Sequence, residues 1–201
     1  MFLSTLSFVL ANQPNFAPKQ GRELEKPKFA APAEGEEVVV ISTKFGKMVV
    51  KLRPDKAPNH VANFKKLAKE KFYDKTIFHR VIPGFMIQGG DPNTKGTDVS
   101  RYGMGGPEKR IKAEFNNLDH LRGVVSMARS QDPDSAGSQF FVMTSNAPHL
   151  NFNYSAFGEV VKGIEVADKI VSSARNARDL PNERIEMTMT VEKWPLKEDS
   201  K

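Results

Sequence analysis

From residue 38 onward the chain is written in short apolar runs cut by Gly and Pro. Residues 38–43 (VVVIST) and 47–52 (KMVVKL) flank Lys44-Phe45-Gly46, a turn whose glycine tolerates positive φ, and together they predict a hairpin. The period then changes. Val61, Phe64, Leu67 and Ala68 recur every three or four positions, with Lys65, Lys66 and Lys69 on other faces, so residues 58–71 predict a helix that Pro58 can open. Runs at 76–82, 85–88, 123–128, 139–144 and 156–161 read as strands. Ile164, Ala167 and Val171 share one side of a second helix over 164–171. Finally Ile185, Met187, Met189 and Val191 alternate with Glu186, Thr188, Thr190 and Glu192, the period of a half-buried strand. Many strands with two helices predict a mainly β fold, a barrel or sandwich whose openings the helices cover.

Residues 1–37 break that pattern. Pro14, Pro18, Pro27 and Pro32 interrupt any period, and Lys, Glu and Ala fill the gaps, so the segment reads as a flexible leader. Its opening, MFLSTLSFVLA, is apolar enough for the hydrophobic part of a secretory signal. Val9-Leu10-Ala11 has the residue sizes expected before a cleavage point, although no basic stretch precedes them. The expectation is an export signal remnant, hence a periplasmic or otherwise exported protein, with a cytoplasmic location as the alternative. The organisation expected is a leader at 1–37, one domain at 38–196 and a charged tail at 197–201.

Composition narrows the chemistry. The 201 residues are 39% hydrophobic and 27% charged, and the mean hydropathy is -0.47. One soluble core is the expectation, and no segment approaches the roughly 20 apolar residues of a membrane-spanning helix. With no cysteine, disulfides, thiolate zinc sites and cysteine nucleophiles are excluded. Lys plus Arg is 30 against 24 for Asp plus Glu, giving +6. The basic residues are scattered (Lys51, Arg53, Lys65, Lys109, Arg110, Lys112, Arg175, Arg178), which points to a solvated surface and not to a nucleic-acid face.

His60, His79, His120 and His149 include no pair at helical metal-ligand spacing, so no metal is expected. Asp132 and Asp134 sit in a loop around Pro133. The stretch Gly103-Met104-Gly105-Gly106-Pro107 lacks the ending of a phosphate-binding loop and reads as a tight surface loop. Ser126, Ser130, Ser135 and Ser138 lack the context of a nucleophile elbow. Covalent catalysis has no support, and no cofactor is expected.

Two segments stand apart: FHRVIPGFMIQGGD at 78–91, and Ser126-Met127-Ala128 followed by GSQFFV at 137–142. Together they resemble the cyclophilin family of peptidyl-prolyl cis/trans isomerases. The resemblance runs from about Val38 to Trp194 and includes Phe157-Gly158-Glu159-Val160-Val161 ahead of the second helix. It implies a closed eight-stranded antiparallel barrel capped by two α-helices, with the active site on an outer face and X-Pro isomerisation in protein folding as the activity. Carried over by position, Arg80 matches the catalytic arginine, and Phe85, Met86, Phe141 and Leu150 match the apolar pocket for the substrate proline. Gln88 and Gln139 match the amides that orient the peptide and the arginine, with Gln88 counted beside Arg80 as catalytic. Ala128 matches a rim position that meets the substrate backbone. Gly96, with Thr97, matches a loop glycine near the groove, in a loop longer than in short members. His149, Tyr154 and Arg129 stand where drug-sensitive members carry Trp, His and Asn, which implies a bacterial-type member that binds cyclosporin-type ligands weakly.

The chemistry of the residues agrees with that assignment. The C–N bond resists rotation by about 18–20 kcal/mol, and uncatalysed X-Pro exchange takes roughly 10–100 s. A guanidinium beside the prolyl nitrogen can donate a hydrogen bond as that nitrogen turns pyramidal, and Arg suits the task because its fork stays charged and can be held by an amide such as Gln88. Singly, Phe85, Met86 and Phe141 would read as core, Arg80 as an ion-pair partner, and Gln88 and Gln139 as ordinary strand polars. Alternation sets Phe140 and Phe141 on opposite faces, one to the core and one to the groove. It also turns His79 away from Arg80, as a structural, hydrogen-bonded histidine. The competing classes are a binding module that grips proline segments without turnover, and nucleic-acid binding resting on charge alone. The partners expected are proline-containing polypeptides, met by a monomer.

Overall fold

The computed structural model describes residues 29–197. Strand β1 (Glu37–Thr43) and β2 (Gly46–Leu52) form the expected hairpin, in register from Val38↔Lys51 to Thr43↔Gly46, and Gly46 takes a φ of 126° at its turn. Helix α1 (Pro58–Lys69) follows, then β3 (Arg80–Ile82), β4 (Met86–Gly89), β5 (Val124–Met127), β6 (Phe140–Met143), β7 (Ala156–Lys162), α2 (Ile164–Val171) and β8 (Met187–Lys193). One antiparallel sheet orders these strands β3-β4-β6-β5-β7-β2-β1-β8.

The sheet is a curled half-barrel, less complete than the closed barrel expected. Its edge strands β3 and β8 do not pair with each other. The chain just ahead of each crosses the seam instead, through an isolated Ile77↔Glu186 bridge and bonds from Phe78 N to Ile185 O (3.1 Å) and Met187 N to Thr76 O (2.9 Å). The single strand expected over 76–82 is split for the same reason. The Ile77 N–H donates to the Thr94 hydroxyl and Ile77 bridges to Glu186, so the ladder with β4 is confined to 80–82.

Helix α1 buries Val61, Phe64, Leu67 and Ala68, the stripe read from spacing. Its cap position is Ala57, which has no side-chain acceptor. The Glu114 carboxylate takes over, accepting from Asn59 N and His60 N at 3.0 Å each. The helix stops two residues before the expected end because Lys71 turns into the left-handed region (φ 56°) and Phe72 N–H returns to Leu67 O. The Phe64 ring then lies 4.9 Å from Phe157 and 5.3 Å from both Tyr73 and Phe140, in the interior core.

Residues 29–36, assigned to a flexible leader, are held. Gly35 N–H donates to Trp194 O, Trp194 N–H donates to Glu36 O, and Lys51 Nζ reaches Ala30 O and Ala31 O. The signal-like residues Val9, Leu10 and Ala11, and most of the tail, lie outside the described residues. Among the described residues no helix is long and apolar enough to cross a membrane.

Candidate active site

Strand alternation builds two apolar clusters on opposite sides of one sheet. Phe140 enters the interior core, whereas Phe141 joins Met86, Val124, Met143, Ala147, Leu150 and Ala156 on the outer face. Phe141 stands opposite Gln88 on β4 and Ser126 on β5, and Gln88 stands opposite Arg80 on β3. Three neighbouring strands therefore bring an aromatic ring, an amide and a guanidinium to one place. The turn between β3 and β4 adds Phe85, and a 3-10 turn at Pro148–Leu150 adds Leu150. The result is a cleft of about 170 Å³ lined by Arg80, Phe85, Met86, Gln88, Ala128, Arg129, Phe141, Leu150 and Tyr154. His149 does not line it. Its ring stacks on Phe85 from outside, 5.7 Å between centroids and 28° from parallel.

The polar wall is arranged differently from expectation. Gln88 Nε2 donates to Gln139 Oε1 at 3.0 Å, and Gln139 Nε2 donates to the carbonyls of Gly103 and Gly105 at 2.9 Å each. Thus the Gln88 amide does not hold the guanidinium: the Arg80 side chain is exposed and makes no hydrogen bond or ion pair among the described residues. The stretch 103–107 is also more than a surface loop. Asp91, fully buried, accepts from Asn93 N and Gly103 N and so pins both ends of the segment between them. A Cβ on Gly105 would collide with the Asp91 carboxylate, which leaves only glycine at that position. Behind this wall lies a second recess of about 370 Å³, reached past Gln88 and bordered by Met104, Arg110, Ala128, Ser130 and Ser135.

A hydrogen-bonded layer supports the cleft from below. Asn151 Oδ1 accepts from His120 N at 2.8 Å and faces His120 Nδ1 at 3.2 Å, so Nδ1 carries the proton and Nε2 accepts from the Ser126 hydroxyl at 3.1 Å. Burial holds the His120 pKa below its ordinary value, and the neutral ring packs against Phe141 at 6.1 Å. Tyr154 meets Phe141 edge-on at 5.7 Å. Arg129 lies over Tyr154 at 4.7 Å and spends its guanidinium on the carbonyls of Asn153, Ser130 and Gln131. It is a fixed part of the rim.

Two expectations fail here. Gly96 ends the 3-10 turn Pro92–Lys95 and accepts from the Tyr102 hydroxyl at 2.7 Å; it does not reach the cleft. His79 is buried but not hydrogen-bonded, since neither ring nitrogen has a partner. It is buried where its neighbour Arg80 is exposed, as strand alternation leads one to expect, and the two residues border a third recess of about 460 Å³. Arg110, Tyr102, Met104, Arg178 and Leu180 border these recesses and were not singled out as site residues by the sequence. The one signal for Met104 was the glycine density around it.

A family model for cyclophilin type peptidyl-prolyl cis-trans isomerase/CLD matches residues 38–192. The chain belongs to this family. It is 47% identical over 146 residues to a probable peptidyl-prolyl cis-trans isomerase of Brucella suis, covering 70% of this chain and 74% of that protein. It is 44% identical over 150 residues to peptidyl-prolyl cis-trans isomerase A of Dickeya dadantii, covering 72% and 75%. Among solved structures, a cyclophilin of Cryptosporidium parvum crystallised in the presence of the dipeptide ala-pro superposes with a TM-score of 0.70 at 31% identity, over 77% of this chain and 98% of that one. The chain is thus a cyclophilin-type peptidyl-prolyl cis-trans isomerase.

Proposed function

We propose that this isomerase lowers the barrier to X-Pro rotation through Arg80, with the proline ring held in the cleft of Phe85, Met86, Phe141 and Leu150. The observation that carries the reading is that Arg80, alone among the charged residues at the cleft, keeps its guanidinium unspent, whereas Arg129 is bonded to three carbonyls. The likeness to a cyclophilin solved with ala-pro supports an Xaa-Pro segment as the ligand.

In the planar ground state the prolyl nitrogen shares its lone pair with the carbonyl and accepts poorly. As the bond twists, the nitrogen turns pyramidal and the pair localises, so a guanidinium donor gains strength only on the way to the transition state. Shortening an exchange of tens of seconds to milliseconds takes about 5–6 kcal/mol. A charge-assisted hydrogen bond from the Arg80 guanidinium and an apolar clamp supply this without a nucleophile or proton transfer. Gln88 stands across the β3–β4 register from Arg80 with its Nε2 spent on Gln139, which turns its Oε1 toward the acceptor role in orienting the substrate.

The test is turnover of a short Ala-Pro peptide. Wild type accelerates exchange, Arg80→Ala loses about 10²-fold, as for removal of a main electrostatic donor, and Arg80→Lys recovers part because it keeps charge without the planar fork. A wild type that binds the peptide yet leaves the exchange rate unchanged would make the chain a binding module. His149 offers a smaller stacking surface on Phe85 than the tryptophan of drug-sensitive members, so cyclosporin-type ligands bind weakly; nanomolar inhibition contradicts this.

A further inference from the structure

The recess on the side of Arg80 away from the apolar cleft has no part in the mechanism above, yet it is built from polar groups that lack a counter-charge. Its borders include Arg80, His79, Ser100, Tyr102, Arg178 and Leu180, and no carboxylate. Like Arg80, Arg178 makes no side-chain hydrogen bond or ion pair among the described residues. The nearby acids are all engaged elsewhere. Asp179 faces Arg175 at 3.2 Å, Asp98 accepts from Ser100 N and Oγ, and Asp91 accepts from Asn93 N and Gly103 N. The buried His79 ring leaves both nitrogens unbonded.

The frame around these groups is rigid. Asn176 Oδ1 accepts from Arg178 N at 2.8 Å and from Leu180 N at 3.2 Å, and Asp179 O accepts from Val81 N at 2.8 Å, which ties the turn carrying Arg178 to β3. On the opposite wall Tyr102 donates to Gly96 O and accepts from Arg184 Nη1 at 3.1 Å, so the wall is fixed and its hydroxyl is spent. Arg80 and Gln88 border both this recess and the proline cleft, so the two spaces adjoin. A chain advances at most about 3.3–3.6 Å per residue, so a peptide seated in the cleft enters the recess within a few residues of its proline.

We propose that this recess is a subsite for an acidic side chain of the substrate near the isomerised proline, with Arg178 as its specificity-determining residue. The inference rests on the cleft being the proline site. Two unpaired guanidinium groups attract a carboxylate and repel a lysine. Arg80 itself serves the reacting bond, so Arg178 carries the choice between substrates. The second basic recess, bordered by Arg110, lies on the other side of Gln88 and serves as the internal control.

The experiment uses a heptapeptide of alanines around one central proline, with Glu, Gln or Lys placed singly at each flanking position. Exchange rates and titration affinities are both measured on the full chain. The expected result is Glu over Gln by about fivefold on one side of the proline, the size of an exposed charge pair, fading as salt is raised. Arg178→Ala removes that ratio, Arg178→Glu reverses it in favour of Lys, and Arg110→Ala leaves it unchanged. Equal values for Glu, Gln and Lys at every position overturn the proposal, as does a preference that survives Arg178→Glu or disappears with Arg110→Ala. Absence of turnover on the all-alanine host would count against the isomerase mechanism, and the affinity ratios would still decide the subsite.

Discussion

Gln88 donates its side-chain N–H to Gln139 Oε1 at 3.0 Å, and Gln139 in turn donates to Gly103 O and Gly105 O. One amide thus couples the residue opposite Arg80 to the loop that walls the groove. Gln139→Leu frees Gln88 and leaves two loop carbonyls to water, and kcat/KM is expected to fall about tenfold, the size of one or two net hydrogen bonds. Gln139→Glu keeps the acceptor for Gln88 and loses the donor to the loop. It should therefore lie between wild type and Leu in turnover, while amide exchange at 103–105 rises in both variants. Wild-type turnover in Gln139→Leu would remove this amide from the account.

Arg122 joins the start of β5 to α2 by a two-bond fork on Asp168, Nη1 to Oδ1 at 2.6 Å and Nη2 to Oδ2 at 2.7 Å, with a further bond to Thr144 O. The Arg122 side chain is 11% exposed and that of Asp168 is 29%. Asp168→Asn leaves a mostly buried guanidinium short of its counter-charge and should cost about 1–3 kcal/mol. Urea unfolding checks it. The midpoint should move while the slope and the turnover of the folded fraction stay put.

What could be read ahead of the structure follows from which physical signal each element carries. Helix α2 spans 164–171 as read, because an apolar 3.6 period and Gly163 at positive φ are local signals. The 76–82 segment misled because alternation reports which face is buried and says nothing about partners: Ile77 bonds to Thr94, and 80–82 to β4. At the site, Arg80, Phe85, Met86, Gln88, Phe141 and Leu150 were all reached through motif resemblance and do border one cleft. The Gln88–Gln139 bond was not legible, since two amides 51 residues apart give no sign of which will accept. Nor was the value of Gly103 and Gly105, whose carbonyls accept from a Gln139 amide that lies more than 30 residues away. Residues 29–36 looked like the rest of a Pro-rich leader because their ties run through their own backbone groups, to the Trp194 backbone and the Lys51 ammonium.

Glu37, at the start of β1, accepts from Lys65 Nζ at 2.8 Å and Lys69 Nζ at 3.0 Å on α1, and these bonds hold its carboxyl at about 2 against an ordinary 4.5. A carboxyl with a depressed folded-state pKa stabilises the fold fully above its unfolded value and loses that contribution as pH falls through the folded one. The contribution should disappear between about pH 5 and pH 2. Because the pair is partly solvated, it is expected to be worth under about 1 kcal/mol and to shrink with salt. Comparing Glu37→Gln with wild type by urea titration at several pH values checks this: the two curves should converge on acidification, and a constant gap down to pH 2 would contradict it.

Phe140 and Phe141 are chain neighbours with opposite duties, and their variants should separate stability from turnover. The Phe140 ring is fully buried 5.3 Å from Phe64, 5.9 Å from Tyr73 and 6.1 Å from Phe78. Phe140→Leu removes ring contacts that nothing nearby can replace, at an expected cost of about 1–3 kcal/mol, with kcat/KM of the folded protein close to wild type. Phe141 borders the cleft proposed for the substrate proline, between Tyr154 and His120. Phe141→Ala deletes an apolar contact worth about 1.5–3 kcal/mol when buried, so kcat/KM should fall by about one to two orders of magnitude. Binding of an Ala-Pro peptide should weaken with it, because a wall of the proline cleft is gone. Turnover hurt more by Phe140→Leu than by Phe141→Ala would mean that the substrate proline does not sit against Phe141, and the cleft would have to be reassigned.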